Sequence, residues 1–436
     1  MTNTNQAILI TGGHLIDPAN NRDGAFDLLI ENGKIAAVDA PGKIPQTKAT
    51  ETIEAKGLLV TPGLIDIHVH LREPGFEWKE TIHTGSQAAV AGGFTAICPM
   101  PNTDPINDAP EITQYMLKQA AQSGLCRVYP IGAITLGSQG EKLAPYGELL
   151  EAGCVAFSDD GKPVMSAGVM RRALDYGRMF DAVFTCHEED KTLSDGFSMN
   201  ESALSVQLGL RGMPGASEDV MISRDIELCR LTGTRLHVCH VSTARAVTLI
   251  KRAKEDGINI TAETACHYFT LNESAVDNFN VNAKMSMPLR SQADVEGVMA
   301  GLAAGVLDCI ASDHAPHDLD SKRKPFSEAS FGILGLQTTL PLTLAKVREG
   351  KLTLHRAIEA LTSKPAEMFR LPLGNLAVGK IADLTLIDEK RSYELTPEMI
   401  RSKSKNSPFI GQPLTGVAVR TILAGKTVFS IEELKS

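Results

Sequence analysis

Residues 63–75 read GLIDIHVHLREPG: an apolar run, two histidines one residue apart (His68 and His70), then Arg72 and a Glu-Pro-Gly breaker. In an extended strand, residues i and i+2 point to the same side. His68 and His70 are therefore expected to face together, with Asp66 on the same face. Two imidazoles at the end of a strand make half of a metal site. A motif this short also suits two packed histidines, so the decision rests on what other strand ends carry.

The same kind of run recurs. Apolar or β-branched stretches end at GLIDIHVH (63–70), FTAICPM (94–100), CRVYPIGAIT (126–135), CVAFSDD (154–160), AVFTCHEE (182–189), RLHVCHVS (235–242), INITAETACH (258–267) and VLDCIASDH (306–314). The segments between them are long enough for helices and look amphipathic, as in DVMISRDIELCRLTG (219–233) and ARAVTLIKRAKEDG (244–257). Continuous apolar strands alternating with helices imply a parallel sheet, and eight such units in about 250 residues match a (β/α)8 barrel. An open doubly wound sheet is the alternative, but no G-x-G-x-x-G follows the first strand. Both flanks carry short β runs broken by turns, such as ILITGGHLID (8–17) and GVAVRTILAGKTVFS (416–430). Neither flank buries a convincing core alone. The expected fold class is α/β: a (β/α)8 TIM-like barrel over residues 61–370, with a small β-sandwich built jointly from residues 1–60 and 371–436.

Composition narrows the function. The chain has 436 residues, 43% of them hydrophobic and 22% charged, as in a soluble globular protein. No apolar run reaches the roughly 18 residues that span a bilayer. The opening MTNTNQ lacks the basic and apolar regions of a secretory signal, so a cytoplasmic protein is expected. Eight scattered cysteines with no C-x-x-C pair read as buried thiols. A net charge of −9 without a basic run argues against nucleic acid and anionic membranes as partners. An anionic small-molecule substrate would depend on local arginines.

Other strand ends do carry ligand types. His187 closes the fifth run and His240 the sixth, where alternation groups Leu236, Val238 and His240 and sends His237 towards the helices. The fourth run ends in Asp159 and Asp160, of which alternation lets only one face the axis, and the eighth ends at Asp313. The C-terminal strand ends are where a barrel of this kind places its catalysis. Nitrogen and oxygen donors without thiolate suit Zn²⁺. Five ligands exceed one tetrahedral zinc, which makes a bridged pair plausible, and the remaining aspartate then stands where a general base should.

At these residues the chain resembles the amidohydrolase superfamily and, within it, class I bacterial dihydroorotases, over almost its whole length. The motifs that carry the likeness are DIHVHLREPG, MPNTDP, FSDDG, HVCHVS and SDHAPH. The resemblance implies that His68 and His70 bind one metal, that His187 and His240 bind a second, and that Asp160 bridges the two. It implies that Asp313 is the catalytic aspartate, also touching the first metal. Arg72, Asn102 and His317 match substrate-binding positions, and Phe331 and Gly332 match a backbone contact to the pyrimidine ring. One or two Zn²⁺ per subunit are implied, with two expected, and the reaction is reversible cyclisation of N-carbamoyl-L-aspartate to L-dihydroorotate. A homo-oligomer is expected, and an aspartate transcarbamoylase is a possible partner.

One position departs. The family's substrate-contacting asparagine before Pro-Leu-Arg is Ser286 in KMSMPLR, a shorter side chain with one hydroxyl. His14, His83, His267 and His355 match no ligand position and read as structural or surface residues, while His314 reads as support behind the ligands. Two rival functions stand beside this one. A hydantoinase or allantoinase would usually bridge its metals with a carboxylated lysine and need not bind a carboxylate; FSDDG and HLREPG argue against it. A non-catalytic dihydroorotase-like subunit of a transcarbamoylase complex should have lost metal ligands, and this chain keeps every candidate.

Overall fold

The computed structural model describes residues 7–434. Eight short parallel strands make the barrel wall: Leu64–Val69, Phe94–Pro99, the split strand Arg127–Val128 and Ile131–Gly132, Ala156–Phe157, Val183–Cys186, Arg235–Val238, Ile260–Ala265 and Cys309–Ala311. The third strand changes partner at Tyr129-Pro130. Its first part pairs with Phe94–Pro99 and its second with Ala156–Phe157. Proline has no amide to give a ladder, yet the Pro130 carbonyl accepts from the Val155 amide, so the wall stays continuous. The ring closes where Val69 bridges to His314 and the His70 amide donates to the His314 carbonyl at 2.9 Å.

The helices between strands have legible starts and stops. Thr81, Ser166, Thr243, Ser291 and Thr353 each cap a helix by accepting an amide hydrogen from three residues on. The barrel interior holds mostly small side chains, Ala96, Cys98, Ala156, Cys239, Cys309 and Ala311 among them, and Met368 and Phe369 belong to the same cluster. Larger side chains such as Phe157, Phe184 and Leu236 face outward into the helix layer. None of the described helices is long and apolar enough to cross a membrane.

The two flanks join, as expected. Leu59–Pro62 pairs antiparallel with Leu384–Glu394, and the hydrogen bonding runs on through eight strands. Ile8, Ile10, Leu28 and Ile30 from the N-terminal flank share one core with Leu384, Leu386 and Ile422 from the C-terminal flank. Asp383 anchors this unit to the barrel by a paired contact with Arg127 at 2.6 and 3.1 Å. The segment after Leu384–Glu394 returns to the barrel mouth. There the Asn406 side-chain amide donates to the carbonyls of Ala315 and Gly332, and its oxygen accepts from the His317 amide.

Packing leaves no room for a side chain where helix Ile82–Ala91 ends. A Cβ on Gly92 would lie 2.0 Å from the Leu336 carbonyl oxygen, which is backbone and cannot swing away. Gly92→Ala should therefore lower stability by about 1–3 kcal/mol, the range for overpacking a filled interior, read as a reduced urea midpoint at unchanged slope.

Candidate active site

His68 faces inward because the first strand slips. Ile65 and Ile67 point into the barrel interior with Ala96 and Cys98, so strict alternation would send His68 outward. The pairing with Phe94–Pro99 is irregular between Asp66 and Val69. This bulge turns His68 inward, and His70 follows. Asp66 does not share their face. Its Oδ1 accepts from the amides of His68 and Ser312, each at 3.1 Å, and burial pushes its carboxyl up to about 7.

The sixth strand corrects a second expectation. His237 turns inward instead of towards the helices, with Nε2 3.3 Å from Glu263 Oε2. Leu236 and Val238 pack in the outer layer. His240 still reaches the axis because its backbone is left-handed, with φ 36°, which breaks the alternation. Arg72 (φ 61°) and Asp313 (φ 45°) share that sparsely populated region. Such strain persists only where surrounding structure over-determines it, and it gathers at functional sites.

In the Asp159-Asp160 pair, Asp159 points away from the axis. Its Oδ1 accepts from the amides of Ile134 and Thr135 at 2.9 and 3.1 Å, and the Thr135 hydroxyl donates to Oδ2. Asp160 faces the axis, where the strand-end residues converge. Its Oδ1 lies 3.6 Å from His68 Nε2, 3.5 Å from His187 Nδ1 and 3.6 Å from His240 Nε2. Its Oδ2 lies 3.6 Å from His70 Nε2. Asp313 Oδ1 lies 3.2 Å from His70 Nε2 and 3.6 Å from His68 Nε2. All six residues are buried.

Apart from the 3.2 Å His70–Asp313 hydrogen bond, these separations are longer than hydrogen bonds and suit a shared metal. Donors around one tetrahedral ion with bonds of about 2.1 Å stand about 3.4 Å apart. His68 Nε2, Asp160 Oδ1 and Asp313 Oδ2 are buried without a hydrogen-bond partner, a costly state unless a ligand satisfies them. Two overlapping sets could hold an ion: His68, Asp160 and His240, and His68, His70 and Asp313. Burial alone would raise the Asp160 carboxyl, but His187, His240, His68 and His70 together hold it well below the usual carboxylate range.

The opposite ring nitrogens are fixed by residues the sequence did not single out. His68 Nδ1 donates to Glu263 at 2.6 Å, and His187 Nε2 donates to Glu189 at 2.8 Å. Lys191 and Ser194 in turn hold Glu189 at 2.6 and 2.5 Å. Asn102 accepts from His70 Nδ1 at 3.0 Å and donates to Asp160 Oδ2 at 3.2 Å. Carboxylates behind ligating histidines set the tautomer and aim the free nitrogen. The one sequence signal for Glu263 was a charged residue inside an otherwise apolar strand.

Arg72 and His317 stand together beside this cluster, with Nη2 3.3 Å from Nε2, while Arg72 Nε donates to the Pro316 carbonyl at 3.2 Å. The Phe331 ring packs 4.8 Å from Phe197. Gly332 is pressed against its neighbours: a Cβ there would lie 2.5 Å from the Ala315 carbonyl oxygen and 2.8 Å from His317 Cδ2. Ser286 is half-buried two residues after Lys284, and its hydroxyl makes no hydrogen bond among the described residues. His314 is held by Glu80 at 3.4 Å. His14 and His83 are exposed. His267 is fully buried, with neither ring nitrogen bonded, and burial near His240 and His68 draws it down to about 4.

Known proteins with this chemistry are similar throughout. A family model described as "Dihydro-orotase-like" matches residues 57–246. A dihydroorotase of Syntrophotalea carbinolica is 50% identical over 98% of this chain and 100% of its own length. One of Syntrophus aciditrophicus is 48% identical over 97% of this chain and 99% of its own. This chain belongs to the dihydroorotase family. Among solved structures, an L-hydantoinase (dihydropyrimidinase) from Arthrobacter aurescens superposes with a TM-score of 0.87 at 26% identity, covering 98% of this chain and 96% of that one.

Glu263 gives the first test. Glu263→Gln removes the charge behind His68 while keeping its size, so metal affinity should fall by about 10–100-fold, measured by competition with a chelator.

Proposed function

We propose that this chain is a zinc-dependent dihydroorotase that interconverts N-carbamoyl-L-aspartate and L-dihydroorotate in pyrimidine synthesis. The observation that carries the reading is the half-buried Arg72 guanidinium, which makes no salt bridge among the described residues, beside a cluster of six metal-ligand side chains. In this reading His68, His70 and Asp313 would hold one zinc and His187 and His240 a second, with Asp160 between the two sets. Bound zinc supplies Lewis acidity, which polarises the ring amide carbonyl and acidifies the attacking water.

The chain's own residues do the rest. Burial would raise Asp313, but His68 and the neighbouring histidines hold it ionised, ready to accept a proton. During hydrolysis it takes the proton from the attacking water and gives it to the departing ring nitrogen. Ring closure runs the same transfers in reverse. Arg72 offers a planar fork to the substrate carboxylate. Burial and Arg72 hold His317 far below its ordinary pKa, so it stays neutral beside that guanidinium. Asn102, His317 and the backbone of Phe331 and Gly332 complete the contacts, with the Ser286 hydroxyl in the place of an amide.

The hydantoinase-type reading is favoured by the likeness in fold, but a neutral ring makes no use of a guanidinium that no salt bridge occupies. Local arginine also answers the net charge of −9, which repels an anionic substrate at long range. A cytoplasmic homo-oligomer, alone or with an aspartate transcarbamoylase, is the assembly this reading implies.

Asp313→Asn should abolish turnover while leaving ligand binding largely intact, because an amide cannot carry the proton. Arg72→Met should weaken dihydroorotate binding by about 2–4 kcal/mol, the scale for truncating one side of a charged hydrogen-bonded pair. Normal binding by Arg72→Met, seen by calorimetry, would place the substrate carboxylate elsewhere. Metal-stripped protein should regain dihydroorotate hydrolysis with Zn²⁺ in carbonate-free buffer. A gain from added bicarbonate would point to a carboxylated lysine in place of the Asp160 bridge.

A further inference from the structure

Lys284 and Lys322 are both buried, at 1% and 4% exposure, yet neither meets a carboxylate within salt-bridge distance among the described residues. Their ammonium groups are spent on backbone. Lys322 Nζ donates to the carbonyls of Ser330 at 2.8 Å and Gly332 at 3.2 Å. Lys284 Nζ donates to those of Phe326 at 2.6 Å and Ser327 at 3.0 Å, and lies 4.4 Å from the Phe331 ring centroid. The Lys284 carbonyl also accepts from the Gly332 amide at 2.9 Å. Four carbonyls of one seven-residue segment thus converge on two ammonium groups, and that segment ends at Gly332, tight against His317, the neighbour of Arg72.

Holding a loop through its carbonyls needs only neutral donors. Burying two ammonium groups without counter-charge is far more costly, which suggests that their charge is used. Burial draws Lys284 down to about 8, and burial with the neighbouring Lys284 charge draws Lys322 to about 7; no acid restores either. The charges of Arg72 and Lys322 both bear on His317, which ties this lysine to the arginine's side of the site. We propose that Lys284 and Lys322 are positioning residues that pin the Phe326–Gly332 segment against His317 and give that side of the site a positive charge that an anionic substrate neutralises. This rests on the dihydroorotase reading only in naming the anion.

The test uses the full zinc-loaded chain. Lys322→Met should raise KM for L-dihydroorotate about tenfold, the scale of one lost charged hydrogen bond, with kcat and metal content little changed. Lys322→Arg, which keeps charge and donors, should recover most of the loss, and Lys284→Met should behave like Lys322→Met. An unchanged KM, or kcat and metal content falling together, would overturn the proposal. Hydrogen exchange on substrate-free protein tests the anchoring separately. The Gly332 amide should exchange faster in Lys322→Met, and unchanged exchange would remove the positioning role. Failure of the wild-type chain to turn over dihydroorotate would instead overturn the activity reading, and the exchange result would still decide the anchoring.

Discussion

Closure of the barrel between its first and last strands is the constraint on which the site depends. His68 and His70 belong to the first strand and Asp313 follows the last, nearly 250 residues later in the chain. The Val69–His314 bridge and the bond from the His70 amide to the His314 carbonyl bring them together. An open sheet of the same strands would leave these groups at opposite edges. Parallel strands also end on the same face, so closure gathers the residues after the fourth, fifth and sixth strands around the same axis.

Gathering that many ionisable groups away from water carries a large desolvation cost. The structure offsets it in layers. Asp160 and Asp313 sit among histidines that keep them anionic. His68 and His187 donate outward to Glu263 and Glu189, and Glu263 also faces His237. Among the atoms left unsatisfied, His68 Nε2, Asp160 Oδ1 and Asp313 Oδ2 lie where a metal and substrate would fill them.

Substrate-side geometry depends on chain far from the strands. Asn406, from the C-terminal flank, grips the carbonyls of Ala315 and Gly332 and the amide of His317. The hydroxyl of Ser402 and the amide of Lys403 reach Glu80, which holds His314. The flanking sheet therefore does more than cover a hydrophobic surface. It sends a segment back to fix the loop carrying His317 and Gly332.

The sequence by itself determined the class of fold and the joining of the flanks, and it pointed to the candidate site residues. Those signals are local: apolar runs with polar ends, helix caps, and motifs such as HVH, FSDDG and SDHAPH. Alternation also separates Asp159 from Asp160, although the strand itself ends at Phe157. It fails at the bulge before His68 and at the left-handed His240, where one irregular residue reverses which side chains face the axis. That is why Asp66 and His237 were placed on the wrong faces. Only the tertiary structure decided which carboxylates stand behind the histidines and which ammonium groups hold the Phe326–Gly332 segment. Glu263, Glu189, Lys284 and Lys322 sit in unremarkable sequence, and their partners lie on other strands and loops. Their meaning comes from burial and from the absence or presence of a counter-charge, and no local pattern of residues encodes that.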